Sequence, residues 1–221
     1  MTWSVLTGCG SGDDKSGESS ATSSAASSSA ETTTAEATET SAAAPADKQT
    51  VGEYLTANGV SHTIVKANEP GVPKVDLPMP EGWEPIPDAD LPQDAYGAIF
   101  LSAAKGTPNP PAVIARMARL EGGEFDVATI LELVPNAVTK LDGWQGPLVG
   151  EPAELGGFEA VAIAGTALVD GAPTFVARKG VVIEGAEHTY MLALDAQGPV
   201  EQQDAILAAM TTIDSGTTIT P

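Results

Sequence analysis

The chain predicts an α+β domain, an antiparallel sheet sandwiched by helices, and three observations carry that prediction. Segments with helical periodicity are few, and they bracket strand-like apolar runs instead of alternating with them one for one. From residue 147 onward four strand-like stretches follow one another with only short turns between them. Two of those stretches are joined across Asp170-Gly171-Ala172-Pro173, turn chemistry that suits a hairpin.

The first element is a short helix. Thr50-Val51-Gly52-Glu53 reads as a capping box, in which Thr50 caps the helix and Glu53 reaches back to the first amide. Val51, Tyr54 and Leu55 then share a face, and Asn58-Gly59 ends the helix. Residues 61–67 alternate loosely and read as a strand. The stretch 70–92 is extended and broken by prolines at 73, 78, 80, 85 and 87, which forbid a central strand beyond 75–77. Residues 96–102 form an apolar strand.

Two readings compete at residues 113–120. Val113, Ile114, Met117 and Leu120 have helical spacing, with Arg116 and Arg119 opposite, so local period favours a helix. As a strand, the same segment would pair with 96–102. Asp126 then caps a helix carrying Val127, Ile130, Leu131 and Val134 on one face, stopped at Pro135. Asn136 is expected to cap a short second turn. Strands follow near 148–155, 158–169, 174–184 and 188–195. Gly198-Pro199 is read as the start of a last helix with Ile206, Leu207, Met210 and Ile213 at helical spacing.

Ahead of this domain, assigned to residues 48–221, lie two further regions. Residues 1–9 end in Leu6-Thr7-Gly8-Cys9, and Cys9 is the only cysteine of the 221 residues. The four resemble a bacterial lipobox, in which a thiol after a small residue is acylated. The segment before it has no Lys or Arg and only Trp3, Val5 and Leu6 as bulky apolar residues beyond Met1. It reads as a remnant of a signal peptide, so that either translation starts upstream or Cys9 is an ordinary buried or free thiol. From 19 to 44 every residue is Ser, Thr or Ala except Glu31, Glu36 and Glu39. Residues 10–47 thus read as a disordered, acidic tether, too poor in apolar side chains to offset the entropy of folding. Such a tether would hold a domain some ~30–40 Å from its anchor.

Composition excludes several functions. Ten basic against thirty acidic residues give a formal charge of −20, which leaves no basic footprint for nucleic acid and none for anionic lipid. Membrane attachment would have to come from covalent lipid on Cys9. No run approaches the ~18 apolar residues of a spanning helix. The chain carries no nucleophile elbow, no zinc-binding helix motif and no glycine-rich phosphate loop. His62 and His188, the two histidines, sit in strand-like stretches and read as exposed or hydrogen-bonded. Asp88, Asp90 and Asp94 loosely follow a calcium loop but lack its glycine and terminal Glu. Trp83 and Trp144 follow glycines and read as core or turn plugs. No enzyme activity, metal or cofactor is expected.

A resemblance emerges from the order of short motifs. Pro73–Trp83, Ala95-Tyr96-Gly97-Ala98-Ile99, Pro110-Pro111 and Leu131-Glu132-Leu133-Val134-Pro135 come first. Gly156-Gly157-Phe158, Ala164-Gly165-Thr166, Gln197-Gly198, Thr212-Ile213-Asp214 and Thr217-Thr218-Ile219 follow in the same order. Together they make residues 50–221 similar to the LpqN/LpqT family of mycobacterial and other actinobacterial lipoproteins. The resemblance implies a Mog1/PsbP-like α/β/α sandwich, and it turns 113–120 into a strand. It also implies export, acylation of Cys9 and a place on the extracytoplasmic face of the cell membrane. The implied role is non-catalytic: a lipid-anchored module assisting transport or assembly of envelope (glyco)lipid. Implied partners are the membrane through Cys9, an envelope glycolipid and lipid-export proteins. The alternative is a surface protein–protein interaction module or antigen without a small ligand. For an apolar groove the candidate residues are Phe100, Met117, Phe175, Met191 and Leu192.

Overall fold

A computed structural model describes residues 49–221. The lipobox with Cys9 and the whole of the tether lie outside them. Helix α1 (Val51–Ala57) starts at the expected capping box: Thr50 Oγ1 accepts from the Glu53 amide at 3.3 Å, and the Thr50 amide donates to Glu53 Oε2 at 2.6 Å. Strand β1 (Ser61–Val65) follows, then β2 (Lys74–Asp76) and β3 (Trp83–Pro85) within the proline-punctuated stretch. That stretch is fastened by side chains. Tyr190 Oη donates to the Gly71 carbonyl at 2.7 Å, Tyr96 Oη donates to that of Pro73 at 3.3 Å, and Lys66 Nζ donates to the carbonyls of Gln93 and Ala95.

Strands β4 (Gly97–Leu101) and β5 (Ala112–Glu121) pair antiparallel, with Ala98 opposite Ile114. The local helical period at 113–120 is therefore overturned, and the strand that the family resemblance implies is what forms. The cause is tertiary. β5 is bonded along one edge to β9 and along the other first to β4 and then to β1, and helices cover the sheet on both sides, so apolar residues are wanted on both of its faces.

Helices α2 (Val127–Leu133) and α3 (Asn136–Thr139) come next. Asp126 caps α2 as expected, accepting from the Thr129 amide at 2.7 Å. Asn136 does not cap α3. It is the first residue of that helix, is buried, and its Nδ2 donates to the Gln49 carbonyl at 2.8 Å, pinning the chain where it enters the domain. Strands β6 (Glu151–Leu155), β7 (Phe158–Val169), β8 (Ala172–Glu184) and β9 (Thr189–Pro199) form an antiparallel meander. Asp170 and Gly171 both have positive φ, as a two-residue hairpin turn requires, so Ala172 and Pro173 already belong to β8. Gly198-Pro199 does not start a helix; it ends β9, and a 3-10 turn leads into α4 (Gln203–Gly216). A last strand, β10 (Thr218–Thr220), pairs with β2 and has no counterpart in the sequence reading.

The main sheet runs β3-β4-β5-β9-β8-β7-β6, with β1 also on β5. Its outermost strands each contain a proline, Pro85 and Pro152. Strand alternation divides the core in two. On one face Val113, Ala115, Met117, Val181, Ile183, Leu192 and Leu194 pack with Ile206, Ala209, Met210 and Ile213 of α4. On the other face Leu120 and Val182 meet Leu55, Ile130 and Leu131 of α1 and α2, while Ile163 and Val176 meet Val138 of α3. The result is an antiparallel sheet with helices on both sides.

Candidate functional site

The face beneath α4 carries a concavity of about 410 Å³ between that helix and strands β6–β8. It exists because the strand residues there are small. Ala162, Ala164 and Ala177 line its floor, and Leu207 and Met210 of α4 form a wall. Leu207 is 41% exposed, an apolar side chain left on a helix whose neighbours Ile206, Ala209 and Ile213 are fully buried.

Polar residues border this apolar surface as well: Glu151, Arg178, Thr211 and the Lys179–Asp214 pair. Lys179 lies on β8 at a position of the α4-facing register, and only 6% of its side chain is exposed. Its Nζ donates to Asp214 Oδ2 of α4 at 2.7 Å and to the Glu154 carbonyl at 3.4 Å. A buried ammonium is tolerated only when paired and hydrogen-bonded in this way. Asp214 Oδ1 is also shielded from solvent and has no partner, so the carboxylate retains unused acceptor capacity. Together the cleft offers an apolar trough with a neutral, dipolar ion pair at its base. That is the chemistry of an amphiphile site, with most of the contact apolar and a few polar atoms fixing orientation.

Of the residues expected to line a groove, only Met117 and Met191 are brought to one cleft, on the α1 side, and the others are scattered. Met117, Phe175 and Leu192 lie in the core at 0%, 5% and 0% exposure. Phe100 sits half-buried in a different hollow near Pro85 and Pro87, with Lys105 Nζ 5.8 Å from its ring centre. Met191 faces the α1 side of the sheet. The correction has a simple cause: large apolar side chains on a sheet covered on both faces fill the core, and it is the alanines between them that leave space. Lys179 and Asp214 escaped notice, although a charged pair inside the apolar run Phe175–Ile183 was a visible signal.

The remaining candidates have structural partners. Trp83 is buried in the α4-side core, and Trp144 Nε1 donates to the Pro147 carbonyl at 3.1 Å, so both act as plugs. His188 makes an edge-on contact with Tyr190, with ring centres 6.4 Å apart, while His62 lies on β1 beside α1. Asp94 is bound to Arg116 Nε at 2.6 Å, and that guanidinium holds its carboxyl below the usual range. Asp88 and Asp90 sit apart from it in a 3-10 turn.

Residues 47–220 match the family model described as "Probable lipoprotein LpqN". The chain is 33% identical over 180 residues to Lipoprotein LpqN of Mycobacterium tuberculosis, a match covering 81% of this chain and 77% of that one. The crystal structure of LpqN, described as involved in cell envelope biogenesis of the same organism, superposes with a TM-score of 0.73 at 32% identity. That superposition covers 79% of this chain and 99% of the other. The solution structure of cyanobacterial PsbP from Synechocystis is a looser likeness, with a TM-score of 0.44 and 9% identity over 72% of this chain and 93% of that one.

Proposed function

Because this chain belongs to the LpqN lipoprotein family, we propose that it is a non-catalytic, lipid-anchored module of the cell envelope that binds an envelope lipid or glycolipid. In this reading Cys9 carries the anchor on the extracytoplasmic face of the membrane. The domain then assists transport or assembly of the lipid it holds, alongside proteins that export it. The observation that carries the reading is the alanine-floored cleft under α4, with the Lys179–Asp214 pair at its base and Leu207 exposed on its wall. An acyl chain laid along Ala162, Ala164 and Ala177 would bury apolar surface at roughly 25 cal/mol per Å². Hydroxyl groups of a head would find Asp214 and Lys179 at one end. Relatives named as lipoproteins, not enzymes, fit the non-catalytic role.

The test is native mass spectrometry and thermal melting of the full chain with alkyl glycosides of increasing chain length, together with an envelope lipid extract. We expect a bound species and a melting temperature that rises with chain length. Leu207→Glu, at a position that is already exposed, should lose both without lowering the melting temperature of the free protein. Absence of any adduct or thermal shift at saturating lipid would overturn the proposal.

A further inference from the structure

A second cleft lies on the opposite face of the sheet, between α1 and strands β1, β5, β8 and β9, and encloses about 150 Å³. Its walls are apolar, from Val51 and Leu55 on α1 to Leu120 and Met191 on the sheet. Ile64, 40% exposed, stands at its edge. Arg116, Arg178 and His62 line the same cleft, and no Asp or Glu does. This is unusual for a chain with thirty acidic and ten basic residues, and the cleft under α4 and the hollow at Phe100 are each lined by carboxylates.

The arginines are held from behind. Arg116 Nε bonds Asp94 Oδ2 at 2.6 Å and its Nη1 bonds Asp195 Oδ2 at 2.9 Å, while Arg178 Nη1 meets Asp195 Oδ1 at 3.3 Å. The register places Arg178 directly opposite Asp195, so one carboxylate bridges both cations. These contacts use Nε and Nη1 of Arg116 and Nη1 of Arg178, and among the described residues neither Nη2 carries a hydrogen bond. Arg178 is the less satisfied, with a single long contact and an Nε that has no acceptor. Two preoriented guanidinium ends, each with its Nη2 left as a donor, beside an apolar hollow match a carboxylate carrying a hydrocarbon body.

From this the geometry points to a binding site for a small apolar carboxylate, the carboxylate on Arg116 and Arg178 and the hydrocarbon between α1 and the sheet. A hollow of about 150 Å³ accommodates a six-carbon ring or a chain of similar size. The formal charge of −20 repels anions at long range, so selection for one must come from these local donors. The site lies on the other side of the sheet from the cleft under α4, with Arg178 of β8 bordering both.

Titration of the isotope-labelled full chain with hexanoate and with benzoate, followed by NMR, tests the proposal. Shift changes should concentrate at Gly52, His62, Ile64 and Met191, with millimolar-order affinity as expected for so few atoms. Hexanamide, equal in shape but uncharged, should bind about tenfold more weakly or not at all. Gly52 lines the cleft, and a Cβ there meets no atom within 4 Å, so Gly52→Leu has room for its first carbon and is expected to narrow the cleft. That variant should abolish the shifts, and Arg178→Gln should weaken them about tenfold. Undiminished binding to Gly52→Leu, equal binding of hexanamide, or no localised shifts with either acid would each overturn the assignment.

Discussion

Glu53 shows how much a single exposed side chain can be perturbed. Its carboxylate accepts from the Thr50 amide and hydroxyl and from Lys140 Nζ, and these contacts, the Thr50 amide first, lower its pKa from 4.5 to about 2. Asp126 and Asp94 are lowered as well, by Thr129 and by Arg116 respectively. A carboxyl whose folded pKa lies below its unfolded one adds stability that is fully present above the unfolded value and is lost as pH falls toward the folded value. For Glu53 that window runs from 4.5 down to about 2. Thermal melts should therefore be flat at neutral pH and fall steeply through that window, and Glu53→Gln should make the fall shallower. A melting temperature independent of pH across the window would show that these contacts do not persist in solution. The capping box was legible in four letters because both of its partners are local. Asn136 was not, since the partner it chose, Gln49, lies 87 positions away.

At the scale of elements, β8 shows why a strand needs a glycine in its middle. A Cβ on Gly180 would lie 2.5 Å from Val134 Cγ2, where the end of α2 comes down on the sheet. Gly180→Ala should cost about 1–3 kcal/mol by forcing the two apart. Adding Val134→Ala should return part of that loss, as chemical denaturation of the single and double variants will measure; no recovery would place the strain elsewhere. The same two-sided packing explains where sequence reading failed. In β5, Ala112, Ile114 and Ala118 fall on one face and Val113, Ala115 and Met117 on the other, so alternation vanished and a helical period took its place. β10 is three residues long and gains its identity only from pairing with β2. Gly198 and Pro199 carry helix-start chemistry, but Gly198 pairs with Phe175 and Pro199 with Thr174, and that pairing keeps them in the sheet.

Across the whole molecule, the meander, its helical covering and the family were readable, because hydrophobic order and turn chemistry run along the chain. The clefts were not. Lys179 and Asp214 are 35 positions apart in the sequence and meet only when α4 folds back over β8. Arg116 and Arg178, 62 positions apart, meet only through the pairing of β5 and β8 with β9 between them. Anchoring belongs to this scale too. With a complete signal peptide supplied upstream, the chain should fractionate with the membrane of an actinobacterial host, and Cys9→Ala should move it to the soluble fraction. Two acyl chains suffice for stable attachment where one is marginal. Retention of the alanine variant on the membrane would sink the lipidation reading.

The prolines in the two outermost strands have a bearing on crowding. Proteins displayed side by side on one surface meet at local concentrations far above those of dilute solution, and an open strand edge is then an invitation to join sheets into filaments. Pro85 and Pro152 each remove an amide that an incoming strand would need. At these two edges, dense display is thus less able to join copies strand to strand.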